Sequence, residues 1–505
     1  MALVSTRDEP VARDRPERRF LLLVSLGVLL ARASYVPRAL RNDEGGYLLV
    51  ARQWHTGGEF LYGDYFVDRP PLLLLIFKVA SLTDWDQAIR VLAIPFVLVF
   101  VVAGWRAGTL VGGRTGGRWS ALVAAAVMCS PGLAAEQADG ELFGAAVVMA
   151  SLAMALTAWH AGSPQLRLRS ACAAGALAAA APLIKQNLLE GLLLVACLTF
   201  LGRRRQDEPG RHRAGAVAAG ALVGALAVAA LVGLWLTTVG TGVTGAWRDL
   251  VGFRGAAFDA IWSSSPEAAL RRGALLVLLG VVTGLLPVVA TWFSARRVPT
   301  ELATRTAITL LLLYGLVAIA AGGSYWPPYL LQLAPAAVLA VGAVAPLATR
   351  AGWWMRVAGR LVASVALLGT VAAAVLQATV PSVGYSQRIG EWLAASKAPD
   401  DSAFVAYGLP SVLEAADMPS PYPHLWSVPM RTFDPEQELL RATLAGHGSP
   451  EWIVQVTGLD AWGIDDGSRL RDLVHDRYRV VATVCGHQVW LRRDATRELA
   501  PTPPC

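Results

Sequence analysis

Long apolar stretches recur along the chain and are separated by short polar connections. A helix needs roughly 20 apolar residues to cross the hydrocarbon core of a bilayer, and about eleven stretches approach this length. They cover residues 19–37, 88–108, 118–135, 140–160, 169–184, 187–202, 214–239, 273–293, 306–322, 328–347 and 360–380. The pattern predicts a mainly α-helical, polytopic membrane protein with about eleven transmembrane helices. The two stretches between 169 and 202 are the least regular.

The distribution of arginine predicts the orientation of these helices. Short cytoplasmic loops of membrane proteins collect Lys and Arg, and translocated loops do not. Arginine clusters before the first stretch and in every second connection, whereas the connections 131–140 and 323–327 contain no basic residue. We therefore expect a multi-pass protein of the plasma membrane. Residues 1–18 would form a cytoplasmic N-terminal arm, 19–380 the transmembrane domain, and 381–505 an extracytoplasmic C-terminal domain.

The C-terminal stretch has the pattern of a folded outer domain. Short apolar runs typical of strands occupy 404–407, 452–456, 479–484 and 488–491, and helical stretches occupy 385–396 and 435–446. Strands interleaved with helices are typical of an α/β unit. The sequence thus predicts a small α/β domain outside the membrane.

Composition and charge agree with a membrane protein and exclude other classes. Of the 505 residues 55% are hydrophobic and only 16% are charged, whereas soluble domains have about 25% charged residues. The net charge of +7 follows membrane topology, and no stretch interleaves arginine with aromatic residues, so we expect no nucleic-acid partner. The five cysteines match neither a disulfide framework nor a zinc motif. Cys485 and Cys505 can pair if the C-terminal domain lies outside the cell, and the sequence leaves this open.

The first outer loop, 38–87, holds the main candidates for chemistry. Asp43 and Glu44 follow the first span, and an amphipathic stretch at 47–54 is expected to lie along the interface. Asp68 and Arg69 precede Pro70-Pro71 and a short apolar stretch at 72–79. A carboxylate suits a general base, and a guanidinium can hold phosphate oxygens bidentately. A solvated loop is the alternative interpretation.

Three further groups lie at the predicted outer face. Asp139 and Glu141 either cap the next helix or add acids to a pocket. Lys185 stands alone among apolar residues at a membrane boundary, where lysine either snorkels or pairs. Tyr325, Trp326 and Tyr329 form an interfacial aromatic belt or line a pocket.

The order of the loop motifs resembles that of a known superfamily. An Asp-Glu pair after the first span (Asp43-Glu44), followed about 25 residues later by Arg69-Pro70-Pro71-Leu72, resembles the GT-C superfamily of polytopic glycosyltransferases. The most similar branch contains protein O-mannosyltransferases and the lipid A aminoarabinose transferase. The resemblance covers the whole chain in outline, because many spans, a large first outer loop and an outer C-terminal domain recur together. It implies a GT-C-like arrangement of the transmembrane helices.

This resemblance implies an activity and a site. The enzyme would transfer a sugar from a polyprenyl-phosphate donor to a glycan, lipid or protein acceptor at the outer face, with inversion in a single displacement. Asp43 would be the catalytic base with Glu44 beside it, and Arg69 and Lys185 would bind the donor phosphate. Asp68, Asp139 and Glu141 would position the acceptor or a metal, and Tyr47, Tyr325, Trp326 and Tyr329 would line the pocket. No cofactor is certain, and the acids leave room for Mg²⁺ or Mn²⁺.

Two other functions remain open from the sequence. A lipid-linked sugar flippase or transporter predicts ionisable residues in mid-span and repeated, broken helices, whereas the span interiors here are almost free of charge. A glycan-binding protein of cell-wall assembly predicts binding by the C-terminal domain without transfer. The sequence does not specify the donor sugar, and both a mannosyltransferase and an arabinosyltransferase fit it.

Overall fold

The computed structural model describes residues 15–204, 208–264, 266–295, 298–379 and 384–505. Most of the predicted N-terminal arm, 1–14, lies outside these ranges. The helices before the C-terminal domain are α1 Arg15–Ala33, α2 Asn42–Arg52, α3 Pro71–Ala80, α4 Ala88–Val127, α5 Gly140–His160, α6 Pro164–Ala180, α7 Glu190–Arg203, α8 Glu208–Leu236, α9 Gly242–Trp247, α10 Phe253–Ser264, α11 Pro266–Val282, α12 Leu285–Ser294, α13 Leu302–Ala321, α14 Ala334–Val344 and α15 Arg350–Thr379.

The described residues include several helices suited to a bilayer. Six are long and apolar enough to cross a membrane, or up to seven if the pair α11 and α12, bent by 72°, forms one span. A multi-pass membrane protein is therefore supported. Six or seven helices are fewer than the eleven predicted spans, so the count of eleven stays a prediction.

The longest helix, α4, is a hairpin of two arms. Gly112 and Gly113 have non-helical dihedral angles, and Gly113 has a φ of +65°, a conformation that favours glycine. A Cβ atom on Gly108 would lie 2.2 Å from the Ser120 Oγ. In a straight helix these residues would be about 18 Å apart along the axis. The two arms therefore run side by side, where the sequence predicts the separate stretches 88–108 and 118–135.

The first outer loop folds into two helices. The stretch expected to lie along the interface forms α2, and the apolar stretch 72–79 lies in α3, which has proline at its first position, as helix starts favour. Residues 44–51 of α2 are all buried. Helix α2 is thus not a surface element, because it packs against α3 on one side and the C-terminal domain on the other.

The C-terminal residues form the small α/β unit that their pattern predicts. Strand β1 Ala403–Ala406 pairs in parallel with β2 Trp452–Gln455, and β4 His487–Arg492 lies antiparallel between β2 and β3 Tyr478–Val484. A disulfide joins Cys485, in the turn between β3 and β4, to Cys505 at the end of the chain. The helices are α16 Tyr385–Ser396, α17 Pro410–Ala416, α18 Ser427–Phe433, α19 Glu438–Ala445 and α20 Arg469–Arg477.

Candidate active site

Asp43 lies in the first turn of α2, half-buried beneath the C-terminal domain. Its Oδ1 atom accepts a hydrogen bond of 3.0 Å from the Nε1 of Trp426. Burial raises the pKa of Asp43, and the positive charge of Arg69 and the Trp426 hydrogen bond offset this only in part. The site thus holds a carboxylate that is more basic than an ordinary aspartate and lies near a cation.

Glu44 adjoins Asp43 in sequence, but its carboxylate has a different environment. Both of its oxygens accept hydrogen bonds from the guanidinium of Arg90, at 2.6 and 2.9 Å. The backbone N–H groups of Arg41 and Ala138 donate to the same oxygens at 2.7 and 2.8 Å. Burial raises the pKa of Glu44, but Arg90 outweighs burial, and the pKa is lowered overall. This geometry makes Glu44 a buried link between α4, the start of α2 and the residues before α5, and its catalytic role beside Asp43 stays a prediction.

Arg69 is held by neighbours on both sides. Its Nε donates to the Tyr47 hydroxyl at 2.7 Å and its Nη1 to Asp68 at 2.8 Å. The second oxygen of Asp68 lies 3.1 Å from Arg254, which comes from α10. The carboxylate of Asp68 is therefore shared between two guanidinium groups. In this structure Asp68 orients two arginines, and its role in positioning an acceptor or a metal stays a prediction.

The turn 185–187, between α6 and α7, meets this group. Lys185 forms an ion pair with Glu141 of α5 and lies 4.2 Å from the ring centre of Tyr329. The side-chain amide of Gln186 donates to the Asp68 backbone carbonyl at 2.7 Å, and its Oε1 accepts from Arg254 at 3.1 Å. Three cations from distant parts of the chain, Arg69, Lys185 and Arg254, thus lie around Asp68.

Asp139 is the N-cap residue of α5. Capping this helix is one of the two roles that the sequence left open for it. Its carboxylate accepts the Leu142 N–H at 2.9 Å. Burial and the charge of Glu141 raise the pKa of Asp139 well above that of an ordinary aspartate. Among the described residues, no group of three or more His, Cys, Asp or Glu side chains is placed to hold a metal ion. The acids here bind Trp426, arginine, lysine or a helix N-terminus, and the binding of Mg²⁺ or Mn²⁺ stays a prediction from the sequence.

The four aromatic candidates separate into two pairs. Tyr47 contacts Arg69, and Tyr329 lies under Lys185. Tyr325 instead donates to the Ala320 carbonyl at 3.1 Å, and Trp326, 52% exposed, lies beneath Arg272. The contacts of Tyr47 and Tyr329 place them at the charged group, whereas those of the other two do not.

Sequence reasoning did not single out two residues of this group, Arg90 and Trp426. Arg90 begins an apolar span, and an arginine there is a signal of a buried partner. Arg254 stands in a predicted outer loop against the trend for basic residues, and contact with phosphate or anionic lipid is one explanation that the sequence offers for it. Trp426 is 383 residues from Asp43, and no local pattern connects the two.

Comparisons with known proteins identify the fold. No protein-family model matches the chain, and no curated protein sequence is significantly similar. ArnT from Cupriavidus metallidurans, solved bound to undecaprenyl phosphate, aligns with a TM-score of 0.60 and 17% identity over 95% of this chain and 98% of its own. The oligosaccharyltransferase of Archaeoglobus fulgidus in complex with Zn and sulfate aligns with a TM-score of 0.53 and 13% identity over 86% and 67%. The same archaeon's AglB, with an inhibitory peptide and a dolichol-phosphate, gives 0.52 and 12% over 88% and 70%.

These alignments extend over most of the chain. The chain therefore shares its fold with ArnT and the archaeal oligosaccharyltransferase, and the resemblance to GT-C glycosyltransferases inferred from the first outer loop is confirmed at the level of the fold.

Proposed function

We propose that this protein is a glycosyltransferase that moves a sugar from a polyprenyl-phosphate donor to an acceptor hydroxyl at the outer face of the plasma membrane. The observation that carries the proposal is the half-buried Asp43 carboxylate beside Arg69, with Lys185 and Arg254 grouped around Asp68. A base and phosphate-binding cations are the two requirements of this transfer. The complex of ArnT with undecaprenyl phosphate supports the donor class.

Asp43 acts as the base in this proposal. The acceptor hydroxyl forms a bond to the anomeric carbon while its proton passes to the Asp43 carboxylate, and the bond from that carbon to the phosphate oxygen breaks. A raised pKa suits this role, because a base is most effective when its pKa approaches the working pH. One displacement inverts the configuration at the anomeric carbon. Glu44 takes no proton and holds the start of α2 in place.

The cations stabilise the leaving group. The donor phosphodiester carries one negative charge, and the departing polyprenyl phosphate gains a second as the bond breaks. Arg69, Arg254 and Lys185 therefore interact more strongly with the transition state than with the donor, which is the condition for faster chemistry. Asp68 and Glu141 hold these side chains in place before the donor binds.

The test measures release of polyprenyl phosphate. The purified full chain, in lipid nanodiscs, receives a polyprenyl-phosphate-linked hexose or pentose, with membranes of the producing cell as the acceptor source. Asp43→Asn should lower the rate by about 10²-fold or more. Asp84→Asn, an exposed aspartate of the same loop, should leave the rate unchanged. Release that survives Asp43→Asn contradicts the assignment of the base, and donor translocation without release would favour a flippase.

A further inference from the structure

We propose that Trp426 of the C-terminal domain is a positioning residue of the active site, whose indole N–H fixes the Asp43 carboxylate for proton transfer. This inference rests on the proposed role of Asp43 as the base. It makes the outer domain a part of the reaction centre, although the membrane region holds the other groups of that centre.

The contact is a direct hydrogen bond. The indole Nε1 lies 3.0 Å from the Asp43 Oδ1, within the normal range for an N–H donor. An indole N–H donates and does not accept, so it favours the ionised carboxylate over the protonated one. Holding one oxygen also restricts rotation of the carboxylate. The acceptor hydroxyl then meets a base in a fixed orientation, a condition for efficient transfer.

The indole ring is itself held against α2. Its centroid lies 5.6 Å from that of Tyr47. A Cβ atom on Gly46 would lie 2.4 Å from the Trp426 Cζ2 and 2.5 Å from the Pro410 Cγ, and one on Gly45 would lie 2.8 Å from the Ser411 Cα. Only glycine allows such an approach without displacement. The Gly-Gly pair after Asp43-Glu44 is thus where the C-terminal domain reaches the base.

The same domain contacts the first outer loop at other points. The Phe66 N–H donates to the Pro423 carbonyl at 3.1 Å, and the Ser420 N–H donates to the Tyr65 hydroxyl at 2.8 Å. Trp426 also occupies the N-cap position of α18. The backbone on both sides of Trp426 is thereby fixed, so the indole is directed at Asp43 before any substrate binds.

Several charged and titratable groups act on Asp43 besides Trp426. The positive charge of Arg69 and the Tyr47 hydroxyl lower its pKa, and the charge of Glu141 raises it, as does burial. Asp139 also interacts with Asp43 electrostatically. Removing the indole N–H subtracts one stabilising contact with the ionised form and leaves the others in place. The pKa of Asp43 should then rise. Because activity needs the ionised carboxylate, acidification should inhibit the variant at a higher pH than it inhibits the wild type.

The experiment compares Trp426→Phe with the wild-type full chain. Phenylalanine keeps an aromatic ring beside Tyr47 but lacks the N–H. We expect kcat to fall about 10- to 100-fold, the acid limb of kcat/KM to move upward by about one pH unit, and the donor KM to stay the same. Trp392→Phe is the matched control, since it removes an indole hydrogen bond to Ala500 in the same domain. It should leave the pH profile unchanged.

A second variant guards against a folding defect. Gly46→Ala keeps the indole but displaces it, so the acid limb of kcat/KM should move to higher pH, as in Trp426→Phe. Thermal unfolding checks that each variant is folded. Wild-type rate and pH profile in Trp426→Phe would overturn the proposal. A lower rate with an unmoved acid limb would overturn it too, because that result marks a purely structural role. Failure of the proposed function is a separate outcome, marked by activity in Asp43→Asn.

Discussion

Arg90 binds Glu44 in a bidentate contact through its Nε and Nη2 atoms, and each of the two side chains is only 1% exposed. The same guanidinium donates to the backbone carbonyls of Tyr35, Arg38 and Ala39 at 2.7–2.8 Å. These bonds join α4, the connection after α1 and the start of α2. Because α2 carries Asp43, this buried pair sets where the proposed base lies.

Removing one member of this pair should destabilise the protein strongly. Glu44→Ala leaves a buried guanidinium without its counter-charge, which costs about 3–5 kcal/mol. Arg90→Lys should also be unstable, because lysine cannot form the bidentate contact. Thermal unfolding in detergent measures both. If Glu44→Gln were as stable as wild type and yet inactive when folded, Glu44 would have a chemical role after all.

The Lys185–Glu141 pair predicts an effect on donor binding. Lys185→Gln removes one positive charge from the proposed phosphate-binding group, so the KM for the polyprenyl-phosphate donor should rise about 10-fold, the scale of one charge-assisted hydrogen bond. Lys397→Gln is the control, since Lys397 pairs with Asp417 in the outer domain. An unchanged donor KM in Lys185→Gln would show that Lys185 serves only to pair with Glu141.

Arg254 and Arg248 provide a matched comparison within one short segment of the chain. Arg254 reaches Asp68 and Gln186, whereas Arg248 pairs with Asp249 and lies near the ring of Phe60. Arg254→Gln should raise the donor KM, and more so at low ionic strength, where charge attraction is less screened. Arg248→Gln should not. Equal effects of the two variants would indicate general attraction of the anionic lipid and no specific site.

The sequence predicts the elements of this fold better than it predicts their contacts. The strands of the C-terminal domain follow from short apolar runs, because a strand pattern is local. The α4 hairpin follows from apolar stretches separated by glycines. The hydrogen bonds from Trp426 to Asp43 and from Arg90 to Glu44 join residues that are 383 and 46 positions apart in sequence. Such contacts depend on packing between whole elements, and no periodicity encodes them.

The roles of the acids illustrate the same limit. Their clustering in outer loops is visible in the sequence, but their partners are not. Asp68, Asp139 and Glu141 look alike as candidates, and the structure gives them two arginines, a helix N-terminus and a lysine, respectively. A carboxylate's chemistry follows from its partner, so residue type alone could not separate the proposed base from the acids around it.

Glu414 of α17 should make stability depend on pH. Its side chain is 3% exposed and lies 3.1 Å from the Nε of Arg52. Burial raises the pKa of Glu414 to about 8, and Arg52 offsets this only in part. Since the folded pKa exceeds the unfolded value of about 4.3, the contribution to stability is full below the unfolded pKa and is lost as pH rises through about 8.

The measurement compares unfolding temperatures at about pH 5.5 and pH 8.5, on either side of the pKa of Glu414. Wild type should lose stability between these values, and Glu414→Gln, which stays neutral, should lose less. Glu391 is an exposed carboxylate that lines, together with Glu414, a pocket of about 100 Å³, and Glu391→Gln should behave as wild type does. The same loss in Glu414→Gln as in wild type would show that Glu414 is ionised throughout.

The disulfide between Cys485 and Cys505 predicts the side of the membrane on which the outer domain lies. Disulfides persist in oxidising compartments and are rare in the cytosol. In cells expressing a variant that keeps only these two cysteines, a membrane-impermeant maleimide should label neither residue at first, and both after treatment with an impermeant reductant. Labelling that requires cell lysis would place the domain in the cytoplasm and reverse the predicted topology.

Since the bond between Cys485 and Cys505 closes a loop with a separation of 20 residues, its removal should also cost about 3 kcal/mol, measured as a lower unfolding temperature of the Cys505→Ala chain.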